Sequence, residues 1–560
     1  MKAPVARPVL AAVAALSLLS LLVSPAVADE ARSRAPEHGF PGSSYIARHA
    51  SDPLPLGPEE GLEERRTVER ITKGLVRIRI VRGHQSPDDV WTVTVGLGTT
   101  ERQISALERE VREAGYEPYR TPTAGPSPLG PPDEPLGYLV RVGRLDNRGE
   151  AEQLAEELAA KGVSGGVHYT AGDGHTTTGP WVVNVLVVDP KKFRGDIRSA
   201  LATEVVPGRE RTSSIAAREK AVAAINGGYF VIDSNLDAGP GPHHAGTEGD
   251  LGGVAVINGR LVSEAVNGRP ALVLPDATGE SARVRRLQTR LRVRSADGAL
   301  RHINGLNRAP GLIIHCGGVG NLVPFNHPAH DYTCGNRDEI IAFDSVYGDT
   351  VPAGDDGYQV TLDGTGKIVA TKASRGGRIP EDGTVLQGIG DGAEWLREHA
   401  ARGSRLTLGR KIVDAETGGR LSFGSGASVI NGGPLLVDNG HVRTTPVRGG
   451  WSPEDIQGVD RASFYNAWYL RRNPRTAAGV TEKGKLLLVT VDGRAPGYSV
   501  GTSIPEMAHL MEDLGAVEAL NLDGGGSTTM VVDGELITRP SDATGERPVG
   551  SALVLVPGRH

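Results

Sequence analysis

From Trp181 to its end the sequence is a series of short apolar runs cut by Asp-Gly, Asn-Gly and Gly-Gly pairs. Asp363-Gly, Asp382-Gly, Asn439-Gly, Asp492-Gly and Asp533-Gly are among them. Such pairs accept the positive φ angles that tight turns between strands require, so the pattern asks for many short strands. Gly 76 and Pro 37 in 560 residues, with 4% aromatics, agree with a β-rich body. Two helices are expected within it, Thr212 to Ala223 and Pro505 to Leu514, the second with Met507, Leu510, Met511 and Leu514 on one side. The fold class expected is α+β, with one large, β-rich mixed domain over residues 180–557.

The N-terminus sets the compartment. Lys2 and Arg7 precede an apolar run from Val9 to Val23, and Ala26-Val27-Ala28 follows as a small-residue cleavage site. Residues 1–28 therefore read as a signal peptide, and the protein as secreted or extracytoplasmic. No later run approaches the ~18–20 apolar residues of a membrane span, so no transmembrane segment is expected in the mature chain. A net charge of −6 with both signs interspersed lacks the clustered basic face that nucleic acid requires. Residues 29–72 are polar and rich in Pro, Glu and Arg; they read as a tether with a short helix from Pro58 to about Ile71. Lys73 to Val81 alternates apolar and basic residues, as a half-buried strand does.

Cys316 and Cys334 are close enough in sequence to staple one loop of an exported chain, and a disulfide is expected. His243, His244, His315, His327 and His330 lack metal-like spacing and read as structural or surface residues.

Residues 91–170 contain an internal repeat. Trp91–Gly96 reads as a strand, Gln103 to Ala114 as a helix with Ile104, Leu107 and Val111 on one face. Tyr138–Gly143 and Gly149 to Ala160 repeat the pair, and the strand Gly166–Tyr169 follows. The sum is a ferredoxin-like βαββαβ unit, with Thr121 to Pro135 as a Pro/Gly-rich connection. The run Tyr138-Leu-Val-Arg-Val-Gly143 with Glu150-Ala-Glu-Gln-Leu-Ala-Glu-Glu-Leu158 resembles the sporulation-related repeat (SPOR) family. The resemblance implies binding of peptidoglycan glycan strands through the open sheet face. A strand at 74–82 that belonged to the following domain would make this unit an insertion.

Four segments of the large domain carry chemistry: Ala224-Ile-Asn226-Gly227-Gly228-Tyr-Phe230, Val429-Ile-Asn431-Gly-Gly, Asn473-Pro-Arg475-Thr476 leading to Asp492-Gly-Arg494, and Asn521-Leu-Asp523-Gly524-Gly525-Gly526-Ser527-Thr528. Three successive glycines are costly in any regular element and let backbone amides approach a ligand. Here they lie between a carboxylate and two hydroxyls. In order and spacing these blocks, with the late Arg547-Pro-Val-Gly-Ser-Ala-Leu, resemble the phosphodiester glycosidase family, that of the lysosomal-pathway uncovering enzyme.

The resemblance implies hydrolysis of sugar-1-phosphodiesters at the anomeric C–O bond, in a cell-wall or capsular glycopolymer, by a wall-associated enzyme. Asp523 is the first candidate for base or nucleophile, Asp492 the second or its partner, and Arg475 a phosphate clamp. Asn226, Gly227, Gly228, Asn431, Thr476, Arg494, Gly524, Gly525, Gly526, Ser527 and Thr528 are candidates for holding sugar or phosphate. No cofactor is evident, and a divalent cation bridging Asp523 and a phosphate stays open. The alternatives are a non-catalytic wall-glycan binder and a phosphodiesterase cleaving P–O, which would usually bring a metal cluster.

Overall fold

The computed structural model describes residues 53–558 except 126, 130, 132, 233–245, 267–268, 275–280, 317–332, 445–450 and 452–460. The expected signal peptide, the first part of the tether, and His243, His244, His327 and His330 lie outside the described residues.

Glu64–Thr72 is a strand, where the sequence suggested tether and helix. The chain turns at Lys73-Gly74, with φ +83° at Gly74, and Glu64–Thr72 pairs antiparallel with Leu75–Arg82. Pro58 suits a first helical turn, but pairing to a ready strand edge overrides that local preference. The alternating acids and bases of the sequence become cross-strand ion pairs such as Arg77–Glu69 at 3.1 Å. Leu75–Arg82 pairs in turn with Trp181–Val188. The sheet continues through Leu486–Val491, Arg475–Thr481, Ala516–Asn521, Leu435–Asp438 and His441–Val442, eight strands in all.

A five-stranded sheet, in the order Glu535–Leu536, Met530–Val532, Ala223–Asn226, Ser551–Pro557 and Gly195–Leu201, packs against it. Leu186, Leu488, Ala478 and Leu520 of the first sheet meet Ile225, Leu553 and Leu555 of the second, all fully buried. Each such side chain stabilises the fold by roughly 1.5–3 kcal/mol relative to exposure. A second core, around Val256, Leu291, Ile340, Val360 and Leu386, lies between two further sheets of the 255–431 region. Near it Arg308 is buried between Glu264 (2.6 Å) and Glu339 (2.8 Å). Cys316 and Cys334 form a disulfide, with Cα atoms 5.9 Å apart.

Residues 91–169 leave the first sheet after Leu75–Arg82 and return to it at Trp181–Val188, its antiparallel neighbour. They build a four-stranded sheet in the order Pro118–Pro122, Tyr138–Leu145, Trp91–Gly98, Gly166–Tyr169, every neighbouring pair antiparallel. Helix Glu101–Glu113 starts with a Thr100/Gln103 capping box, and helix Arg148–Ala160 is capped by Asn147. Both share one core with the sheet: Val93, Val111, Val142, Leu158 and Val163.

The opposite face of this sheet is not open along its length. Arg141 is buried there and pairs with Asp173 at 2.6 Å, and Asp173 lies 3.7 Å from Arg471. Burial beside these guanidinium groups pushes the His168 imidazole down to about 3. Arg472 donates to the Ala171 carbonyl at 2.7 Å and to Glu506 at 2.6 Å, tying the same edge to the large domain. Among the described residues no helix is long and apolar enough to cross a membrane.

Candidate active site

The glycine run lies where two neighbouring strands end together. Arg475–Thr481 and Ala516–Asn521 pair with Ala477 opposite Asn521, which brings Asp523 and Gly524 beside Pro474 and Arg475. The Gly525 N–H donates to the Pro474 carbonyl at 2.9 Å. Gly525 has φ +59° and starts a single 3-10 turn, Gly525–Ser527, so a left-handed residue is needed at that point. Asp523 is half-buried and its Oδ1 accepts the Gly524 N–H at 2.8 Å.

These residues line a cavity of about 380 Å³ together with Arg475, Arg494, Arg547, Asn473, His315, Tyr229, Phe464 and Trp468. A cavity of about 740 Å³ along strand Gly195–Leu201 is larger, but none of the residues singled out for chemistry lines it. The smaller one collects cations, a carboxylate and bare backbone, and it is the candidate site.

Several residues expected to touch substrate instead hold this floor. Asn226 is fully buried; its Nδ2 donates to the Asp523 carbonyl (2.7 Å) and its Oδ1 accepts from Thr476 Oγ1 (2.8 Å) and Thr529 N (3.1 Å). Asn431 Oδ1 accepts the Tyr229 N–H at 2.9 Å. A side chain at Gly227 or Gly228 would collide with Ser551 or Asn431. Ser527 and Thr528 are buried and do not line the cavity. Asn226, Thr476 and Asn431 therefore spend their polar groups on the protein itself.

The two remaining catalytic candidates also differ from expectation. Arg475 lines the cavity, yet its Nε donates to the Thr502 carbonyl (3.1 Å) and its Nη2 to the Trp468 carbonyl (2.6 Å). Burial pushes this guanidinium down to about 10. It clamps the 468–471 turn rather than offering its whole fork to a ligand. Asp492 is buried away from the cavity lining; its Oδ2 accepts from the Tyr498 hydroxyl (3.0 Å) and its Oδ1 from the Arg539 N–H (3.2 Å). Burial raises its carboxyl to about 6. Among the described lining residues Asp523 is the one carboxylate.

Arg494 reaches the cavity from a turn in which it adopts φ +54°, and its Nε and Nη2 donate to Asn473 Oδ1 at 3.1 and 2.9 Å. Its guanidinium faces Gly525. Arg547, which opens one of the blocks that carry the family resemblance but was not among the candidate site residues, pairs with Asp542 through Nε (2.7 Å) and Nη2 (3.0 Å) and stands against Gly526, where a Cβ would collide with it. The missing side chains at 525 and 526 thus make room for two guanidinium groups.

The cavity lining is also aromatic, which was not anticipated. Asn466–Leu470 is a π-helical turn that places Trp468 beside Phe464. His315, read as structural or surface, is buried with φ +52° and lies edge-on to Tyr229 at 5.6 Å. Burial, with the Asp523 charge adding to it, keeps the Tyr229 phenol well above its ordinary range. Among the described residues no group of three or more His, Cys, Asp or Glu is placed to hold a metal.

Residues 356–556 match the phosphodiester glycosidase family. N-acetylglucosamine-1-phosphodiester alpha-N-acetylglucosaminidase from Homo sapiens is 44% identical over 114 residues, 20% of this chain and 21% of that protein. The enzyme of the same name from Bos taurus is 32% identical over 114 residues, 20% of each chain. The chain thus spans about a fifth of the length of these curated relatives. A crystal structure named "Putative exported protein", from Burkholderia pseudomallei, is 36% identical and covers 90% of this chain and 99% of its own, with a TM-score of 0.81. The chain belongs to the family of that protein.

Proposed function

Since its C-terminal region is of the phosphodiester glycosidase family, we propose that this chain is an exported glycosidase that hydrolyses sugar-1-phosphodiesters by breaking the bond between the anomeric carbon and oxygen. The observation that carries the reading is one cavity lined by Asp523, Arg494, Arg547 and the bare backbone of Gly524–Gly526. The phosphate sits against Arg494 and the Gly525–Gly526 backbone, with Arg547 held alongside by Asp542. A phosphate monoester leaves readily, so a second carboxyl group acting as general acid is less necessary than for an ordinary glycoside. A site whose described lining holds one carboxylate suits that chemistry. Asp523 activates water against the anomeric carbon or attacks it directly, and the cations offset the charge that builds on the departing phosphate.

The substrate proposed is a cell-wall or capsular glycopolymer. Residues 91–169 would hold the enzyme at glycan strands by the surface not buried against Asp173 and Arg471. The test is release of free sugar from an N-acetylglucosamine-1-phosphodiester. Asp523→Asn should abolish release while leaving the melting temperature unchanged, and wild-type turnover by that variant would sink the assignment.

A further inference from the structure

The lining of the same cavity also includes aromatic rings, with the Arg475 guanidinium 5.9 Å from the Trp468 ring centroid. Trp468 stacks on Trp451 with centroids 4.6 Å apart and planes 2° from parallel. Phe464 lies 5.9 Å from Trp468 at 18°. Trp451 is fully buried, carries the Arg269 guanidinium over its ring at 3.8 Å, and touches Tyr229 at 4.7 Å. Trp468 and Phe464 are half-buried and line the cavity.

The main chain is arranged to fix this wall. A π-helical turn is rare and is frequently found at functional sites. Here it spans Asn466–Leu470 with Trp468 at its middle. The Trp468 carbonyl is held by the buried Arg475, the Tyr465 hydroxyl donates to the Trp451 carbonyl at 3.2 Å, and the Tyr469 hydroxyl donates to the Thr444 carbonyl at 2.8 Å. Three separate side chains thus hold this turn and Trp451 in place, while the Trp468 and Phe464 rings stay half-buried at the cavity.

We propose that the Trp468–Phe464 wall is the sugar subsite, stacking against the apolar C–H face of a pyranose ring whose phosphate lies at the Arg494 end. This rests on the sugar-phosphodiester reading given above. A pyranose is apolar on its faces and polar around its edge, and it is joined to the phosphorus through a single oxygen. With the phosphate at Arg494, the ring has to lie in the same 380 Å³ cavity, and the aromatic wall is the surface there that complements its apolar face.

Calorimetric titration with free N-acetylglucosamine tests this without relying on turnover. The wild-type protein should bind the sugar; Trp468→Ala should weaken binding at least about tenfold, equal to about 1.4 kcal/mol, and Trp468→Phe should recover most of it. Phe464→Ala, measured in parallel, should weaken it as well. Melting temperatures check that each variant is folded. No sugar binding by the wild type, unchanged affinity in both alanine variants, or a preference for uridine over the sugar would overturn the proposal. Turnover of the phosphodiester is scored separately. Loss of turnover with intact, Trp468-dependent sugar binding refutes the hydrolase reading alone, and turnover with a KM indifferent to Trp468 refutes the subsite alone.

Discussion

Asp492 should make the stability of this protein depend on pH in a window where exposed carboxylates contribute nothing. It is 1% exposed, and two donors meet it, the Tyr498 hydroxyl and the Arg539 N–H. The charges facing it are Arg79 on strand Leu75–Arg82 and Arg539, both of which favour the carboxylate. Burial outweighs them, and the carboxyl titrates at about 6 instead of 3.8. A folded pKa above the unfolded one means that the native state keeps a proton which the unfolded chain has lost. The associated stability is present in full below pH 4 and falls as pH rises from about 4 to about 6. Two pKa units correspond to about 3 kcal/mol, an order-of-magnitude figure. Asp492→Asn keeps the shape and can accept from Arg539, but it does not titrate. Urea denaturation of wild type and variant across pH 4 to 7 isolates this group, because every other titration is common to both. The wild type should lose about 3 kcal/mol relative to the variant over that range. A gap that does not change with pH would refute the reasoning.

Arg494→Gln should raise KM for a sugar-1-phosphodiester by about tenfold or more, because a charge-assisted contact of roughly 1.5–3 kcal/mol is removed. Initial-rate kinetics checks it. Asp173→Ala leaves the buried Arg141 without its carboxylate partner, with the half-buried Arg471 also losing it, and should cost about 3–5 kcal/mol in denaturant titration. Cys316→Ser opens a loop with a sequence separation of 18, and should lower stability by about 3 kcal/mol under non-reducing conditions.

The glycine run, the carboxylate beside it and the strand-helix pattern of residues 91–169 could be read from sequence because each follows from local chemistry. Gly525 needs a left-handed φ, and the helices of the small unit carry an apolar face and a capping residue. What was not legible is which polar groups the protein uses on itself. Asn226 and Thr476 look like ligand-binding residues in a string of letters, yet their hydrogen bonds close on Asp523 and on each other. Arg547 stands at the head of a block that carries the resemblance, yet its place at the cavity could not be read from sequence, since it comes from a Gly526 that is adjacent only in space. The aromatic wall was hidden for another reason. Ser463-Phe-Tyr-Asn-Ala-Trp-Tyr-Leu470 contains no glycine or proline to mark a π-turn. Strand Glu64–Thr72 likewise owes its state to a partner strand rather than to its own residues.

The central claim is cleavage at the anomeric C–O bond. Hydrolysis of an N-acetylglucosamine-1-phosphodiester in heavy-oxygen water, followed by mass spectrometry of both products, tests it most directly. The account predicts label at the anomeric hydroxyl of the released sugar and none in the phosphate monoester. Label in the phosphate would mean P–O cleavage and contradict it, and sugar binding without any turnover would leave a binding protein in its place.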